Sequence, residues 1–333
     1  MGLIGFAGFE DNNYSEVTPI GVTVLSPTAP RTGNYCLRIE TGSNNLFNKG
    51  WVMPVGVGEF YFQYAAKYVG NQAVTDDKAC FQWLDQFSNV MGAFYIRTTS
   101  LIYNVYVGNK VTLIGSTVTG LSSNWTVIEG YIKIHASEGR VIIRVNGVTE
   151  VDFTGNTQPG EEDAVAVLRH GNFPFGTNGQ YLYFDDIIVQ DTTGAAFNSW
   201  PMGIKCHKVA APLANGNYAQ WTPSAGDNFQ CIDETPPSMD DYVEGAAGQK
   251  DSYPFGDAPA GLSGIAGVVT RFYGQGNGNI KRLCRYGGTD YLSSAFAVPG
   301  TFNKVDDVMA EKPGGGGWDE TTFNACEFGM EHQ

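Results

Sequence analysis

Glu150 and Asp152 stand on alternate positions of one predicted strand, the spacing that acid–base chemistry on a sugar would need. Alternate strand residues share a face, and carboxyl groups about 5–9 Å apart can divide the roles of acid and nucleophile or base in glycoside hydrolysis. No third acid follows at the spacing of an E-x-D-x-x-E strand, so the expectation for the pair is an ordinary solvent-facing position. Glu161-Glu162-Asp163 falls in a loop and has less claim. The four histidines, His135, His170, His207 and His332, form no H-E-x-x-H and no close pair, which gives a catalytic zinc site little support. Cys206 and His207 are adjacent and would face opposite sides of a strand, an awkward arrangement for a shared metal or a dyad.

Asp185-Asp186 interrupts an otherwise apolar run, Tyr181 to Val189. In a regular strand one of the two must point inward, and an inward acid is expected to satisfy backbone groups at a sheet rim, with metal ligation as the alternative. Eight acids and a single base lie between Asp227 and Asp257. A solvated loop region is the expectation there. Calcium is the one cofactor these carboxylates leave open, although the D-x-[DN]-x-[DN]-G ladder is absent. Gly274-Gln275-Gly276-Asn277-Gly278 resembles a phosphate loop by composition alone and reads as a β-turn. No residue is assigned as catalytic or cofactor-binding, and no metal ligand is assigned.

The elements that must carry these side chains are strands. From Trp125 to Phe153 three runs alternate at period two. Ile128, Gly130, Ile132 and Ile134 share one face, with Glu129, Tyr131, Lys133 and His135 on the other. Val141, Ile143 and Val145 oppose Arg140, Arg144 and Asn146. Asn146-Gly147 predicts a type I′ hairpin, because both central positions need φ > 0. Thr149, Val151 and Phe153 then share a face of the third run. This pattern means a half-buried antiparallel sheet. Further strands are predicted near Cys36–Ile39, Glu59–Ala66, Cys80–Leu84, Ala93–Thr98, Leu101–Val107, Lys110–Ile114, Ala164–Leu168 and Gln180–Gln190. In the second half they fall at Gly203–Val209, Gly261–Tyr273, Asn279–Tyr286 and Phe302–Met309, with one short helix over Asp319–Ala325. The fold class is all-β, an antiparallel jelly-roll sandwich over 1–191 followed by a smaller β-rich domain over 192–333.

Charged residues make up only 16% of the 333, and a net charge of −14 argues against nucleic acid, whose affinity comes from neutralised phosphates. No run approaches a membrane span, and Met1 to Phe9 lacks the features of a signal peptide. Six cysteines stand far apart without a C-x-x-C, so buried free thiols are expected, and sequence alone leaves any disulfide pairing open. The low charge and abundant Asn, Thr, Ser, Gly and Tyr suit a protein packed in an assembly, exposed on a particle, or facing carbohydrate.

The first domain resembles the concanavalin A-like, laminin-G-like jelly rolls. The resemblance rests on Glu10-Asp11, Trp125 to Glu129, Arg144 to Gly147 and Phe184 to Val189. The whole chain is similar to tailed-bacteriophage virion proteins that join such a domain to a distinctive C-terminal one. Trp221 to Gly226, Asp233-Glu234 with Pro236-Pro237, Gly248 to Asp251, Trp318 to Asn324 and Glu327 to Gly329 carry that similarity. The resemblance implies a non-enzymatic structural component of the virion, a capsid decoration or fibre-like head or tail surface protein, made in the host cytoplasm. It implies other virion proteins (major capsid or tail proteins) as partners and a homo-oligomer, with trimers favoured at symmetric sites. Host-surface glycan is a further expected contact; nucleic acid and membrane are not. The alternatives are a lectin-like carbohydrate-binding module, with Trp51, Trp83 and Trp200 as stacking candidates if exposed, and a polysaccharide-degrading glycosidase.

Overall fold

The computed structural model describes residues 2–10, 19–20, 23–40, 46–47, 57–70, 78–97, 101–160, 162–170, 181–193, 197–235, 237–258 and 264–333. Two compact units divide the chain, Met1–His207 and Lys208–Gln333.

Unit 1 is an antiparallel jelly-roll sandwich. One sheet runs in spatial order Val148–Gly155, Gly139–Val145, Thr126–Lys133, Glu59–Val69, Tyr181–Asp191, Cys36–Glu40 and Thr23–Ser26, and Leu3–Ala7 joins beside Tyr181–Asp191. The other runs Thr112–Ser116, Tyr103–Val107, Val90–Ile96, Lys78–Leu84, Val167–His170, Leu46–Phe47 and Pro19–Ile20. The predicted meander is present in register, with Ile128 opposite Val145 and Val141 opposite Phe153. Its hairpin turns through Asn146 and Gly147 at φ 49° and 83°, as a type I′ turn requires.

Period-two alternation builds the core. Phe60, Phe62, Tyr64 and Ala66 face inward from one strand and meet Phe81, Trp83 and Phe94 from the opposite sheet, with Phe62 and Phe81 ring centroids 4.4 Å apart. Each fully buried ring stabilises by about 1.5–3 kcal/mol. Two glycines make room for rings: a Cβ on Gly130 would lie 2.1 Å from the Phe62 ring, and one on Gly92 would lie 2.0 Å from Trp83.

The outer face of the larger sheet is covered over Thr126–Lys133, Glu59–Val69 and Tyr181–Asp191, while Arg140 and Asp152 farther along it stay exposed. Residues 198–207 cross it as an extended strap, held by side chains instead of a ladder. Gln190 Nε2 donates to the Ser199 carbonyl at 3.1 Å, and the Gly203 amide donates to Glu129 at 2.9 Å. The Lys205 amide donates to Gln63 Oε1 at 2.9 Å, while Gln63 Nε2 returns a bond to the Lys205 carbonyl at 3.0 Å. Trp200 stacks on Tyr61, and Met202 packs against Tyr61 and Ile188. Gly203–Val209 is therefore not the strand predicted from sequence. The stretch before Lys208, which the sequence reading places in the second domain, belongs to unit 1 because its bonds end on that sheet. Glu129 is fully buried for the same reason and pairs with Arg144 at 3.1 Å.

Unit 2 centres on a five-stranded sheet in which Lys250–Pro254, Glu327–His332, Asn279–Tyr286 and Thr289–Leu292 lie side by side and Phe296–Ala297 adds to Asn279–Tyr286. Val268–Gly274 and Asn303–Met309 pair as a separate ribbon. Cys284, Met309, Trp318, Cys326 and Phe328 form a compact core. The predicted helix is the five-residue Glu320–Asn324, capped by Asp319, whose side chain accepts from the Thr322 amide. No helix among the described residues is long and apolar enough to cross a membrane.

Candidate functional site

The carboxylates nominated from sequence serve the framework. Glu150 accepts from the amides of Val118 and Thr119 at 2.7 and 2.9 Å and from the Thr119 hydroxyl, so it ties the 117–119 turn to its own strand. Asp152 forms a bidentate pair with Arg140 on the sheet surface. The two acids share a strand, but their oxygens point into separate structural contacts. Glu161 lies outside the described residues.

Asp185-Asp186 is not part of a regular strand. Tyr181–Asp191 pairs with Cys36–Glu40 through Phe184 and with Leu3–Ala7 from Ile187, so the two acids sit where one neighbour ends and the other begins. A bulge lies there, and Asp186 takes φ 50°, a conformation Asp tolerates better than most residues. Both side chains are consequently buried. Asp185 accepts from the amides of Arg31, Thr32 and Asp186 at 2.9, 3.3 and 2.8 Å. Asp186 pairs with the Arg31 guanidinium and accepts from the Thr32 hydroxyl at 2.8 Å and the His207 amide at 2.6 Å. Glu10 grips the same turn through the Asn34 amide at 2.6 Å. Burial, reinforced by the neighbouring Asp186 charge, pushes the Asp185 carboxyl up to about 8. The sequence motifs around Glu10 and Asp185-Asp186 thus meet at one turn and lock it.

Cys206 and His207 lie in the strap, and the His207 ring packs 5.2 Å from Phe6. His135 Nδ1 accepts from the Glu138 amide at 2.8 Å, and His332 Nδ1 contacts the Gly245 carbonyl at 2.9 Å. The His170 side chain lies outside the described residues. Among the described residues no three of His, Cys, Asp and Glu are grouped to hold a metal ion. Cys36, Cys80, Cys231, Cys284 and Cys326 are free thiols, all buried.

The acidic run of unit 2 separates into two environments. Glu234, Ser238, Asp240 and Asp241 line an open groove of about 490 Å³, where burial and then Asp241 raise the Glu234 carboxyl. Asp251 is instead fully buried. It accepts from the Gln220 and Trp221 amides at 2.7 and 2.9 Å, from Asn228 Nδ2 at 2.6 Å and from the Tyr253 hydroxyl at 2.7 Å. A Cβ on Gly329 would lie 1.9 Å from the Asp251 carbonyl oxygen.

Of the stacking candidates, Trp83 is buried in the core, Trp200 is half-buried against Tyr61 and Tyr131, and Trp51 lies outside the described residues. Sequence reasoning passed over a different aromatic. Two turns at one end of the smaller sheet, with Pro159, Gly160 and Glu162 beside them, bound a groove of about 470 Å³ lined by Asp85, Phe87, Asn89, Asn109, Val111 and Glu162. Phe87 is 67% exposed and Val111 75%. Asp85 organises the first turn by accepting from the Phe87 and Asn89 amides, both at 2.8 Å, and from Asn89 Nδ2 at 2.8 Å. Ser88 between them takes φ 68°. Asn109 Oδ1 accepts from the Tyr95 hydroxyl at 2.5 Å, which fixes the second turn on the sheet. The available signal was a lone Phe in a polar turn, Asp85-Gln86-Phe87-Ser88-Asn89.

Several solved structures are similar to this chain. The cellulose induced protein Cip1 is 13% identical over 55% of this chain and 95% of its own, with a TM-score of 0.43. A carbohydrate esterase from the Shiga toxin-encoding bacteriophage phi24B is 17% identical over 56% and 97%, with a TM-score of 0.43. Domain 4 of AbnA, an arabinanase from Geobacillus stearothermophilus, is 14% identical over 57% and 92%, with a TM-score of 0.40. At these identities and TM-scores the ligands and reactions of those proteins do not transfer to this chain. No protein-family model and no curated protein matches the sequence.

Proposed function

We propose that this protein is a non-enzymatic structural component of a tailed-phage particle, a decoration or fibre-like protein of its surface. Unit 2 would anchor it to capsid or tail proteins and unit 1 would face outward toward host glycan. The observation that carries the reading is the construction of unit 2 around Asp251. The segments whose sequence resembles tailed-phage virion proteins, Trp221 to Gly226, Gly248 to Asp251 and Glu327 to Gly329, converge on that one buried carboxylate and its strand pairing. They act as the framework of a module. In unit 1 the acids available for chemistry, Glu150, Asp152, Asp185 and Asp186, hold turns and a strap, as a display scaffold would use them.

The test is quantitative mass spectrometry of density-gradient-purified particles, with copy number scaled to the major capsid protein. Retention at hundreds of copies indicates a capsid decoration or a tail array, and a few to a few dozen indicate a fibre, tip or collar component. Absence from the particle overturns the proposal.

A further inference from the structure

We propose that the groove between the Asp85–Asn89 turn, the Asn109–Val111 turn and Glu162 is a saccharide-binding site selective for uncharged sugars. The inference deepens the outward, glycan-facing role given above to unit 1, and rests on it.

The groove combines the two things a pyranose demands. Its C–H face needs an exposed flat apolar surface, and its hydroxyls need fixed donors and acceptors around that surface. Phe87 and Val111, both largely exposed, supply the first. Phe87 stands at a turn tip with most of its ring exposed, and it lines the groove together with Val111 and Pro159. The second comes from two asparagines whose far ends are already committed. Asn89 spends Nδ2 on Asp85, so among the described residues its Oδ1 is left as an acceptor. Asn109 spends Oδ1 on Tyr95, so among the described residues its Nδ2 is left as a donor. Glu162 uses one oxygen on Gln86 Nε2 at 3.2 Å and adds a further acceptor.

The site is preorganised. Asp85 holds its turn by three bonds, and the Gly108 amide ties the second turn to the Met91 carbonyl at 2.8 Å. Turns already fixed lose little entropy when they bind. Charge then sets the class of ligand. Asp85 and Glu162 line the groove of a chain whose net charge is −14, so uronate-rich or sulfated chains are repelled. A neutral hexose or N-acetylhexosamine chain meets no such penalty.

Titration of the full-length protein by NMR or calorimetry with maltotriose, chitotriose and polygalacturonate tests this. At least one neutral trisaccharide should bind saturably, with a Kd of about a millimolar, and polygalacturonate should not. Phe87→Ala should weaken binding about tenfold, Phe87→Trp should restore it, and Val148→Ala, at an exposed position outside the groove, should leave it unchanged. Failure of both neutral sugars to bind overturns the proposal, as does wild-type affinity in Phe87→Ala or preference for polygalacturonate. Particle incorporation of Phe87→Ala separates the two readings. Loss of sugar binding at wild-type copy number retains the virion role, and sugar binding by a protein absent from particles retains only the groove.

Discussion

Unit 1 buries a continuous set of aromatic and branched side chains between two sheets, from Ala7 and Phe9 through Phe62, Phe81 and Trp83 to Val189. Unit 2 gathers a much smaller core around Trp318 and Phe328 and surrounds it with polar cross-links. Lys250 bridges Asp290 and Glu331, Arg285 reaches Asp290, Arg271 and Lys304 share Asp306, and Lys312 pairs with Asp319. The same need, holding short strands and glycine turns together, is met by packing in one unit and largely by polar contacts in the other. A small domain cannot bury enough apolar surface to dispense with such contacts. The two units should therefore fail under different stresses.

The sharpest break is in the cores. Phe62→Ala should destabilise unit 1 by about 3–5 kcal/mol and leave unit 2 intact, as segment-resolved hydrogen exchange would register. Asp251→Ala should do the reverse. It leaves the buried Asn228 side chain and Tyr253 hydroxyl and two part-buried amides, Gln220 and Trp221, without their acceptor, and should cost unit 2 about 3 kcal/mol. Equal loss of protection in both units in either variant would erase the distinction.

Proton linkage sharpens the comparison with opposite signs. Asp185 in unit 1 is raised to about 8 by burial and then by Asp186. Its contribution is complete below the unfolded value near 4 and is lost as pH rises through about 8. In unit 2, hydrogen bonds from Lys312 and then the Thr322 amide bring Asp319 down to about 2. For Asp290 and Asp306 burial pushes upward, but hydrogen bonds from Lys250 and Arg285, and from Arg271 and Lys304, prevail and hold both carboxyls low. All three contributions are complete above about pH 4; that of Asp319 is lost as pH falls to about 2, and those of Asp290 and Asp306 are likewise lost toward acid pH. Hydrogen exchange followed from pH 3 to pH 9 should show unit 2 loosening at the acid end and unit 1 at the alkaline end. Added salt should weaken unit 2 the more, by less than about 1 kcal/mol per exposed pair.

The smallest effects should come from Glu150→Ala and Asp152→Ala. Each removes an exposed structural contact, with a cost below about 1 kcal/mol, and thermal denaturation should show only a slight shift. A loss of polysaccharide hydrolysis in either variant would instead return these acids to catalysis.

Strand positions were legible where one face is apolar and the other polar, as at Ile128, Gly130 and Ile132, and where a turn demands φ > 0, as at Asn146-Gly147. Sheet residues that carry polar groups into a covered face were not. Glu129 alternates correctly for solvent, yet it is buried beneath the strap, because a distant segment supplies its partner. Gly203–Val209 has strand-like composition but bonds to side chains, and periodicity cannot register that. Asp185-Asp186 signalled an irregularity, while its cause, the exchange of sheet neighbours, is a property of topology. The groove escaped notice because its residues come from turns far apart in sequence, and a single exposed Phe has no pattern.

Under the proposed function, unit 1 would lie on the outside of a phage particle and unit 2 against it. Antibodies raised separately against surface peptides of the two units, applied to purified particles before and after disruption, test that most directly. Unit 1 antibodies should label intact particles by immunogold microscopy, and unit 2 antibodies should bind only after disruption. Labelling of intact particles by unit 2 antibodies alone would reverse the arrangement, and no labelling in either state would contradict the virion role.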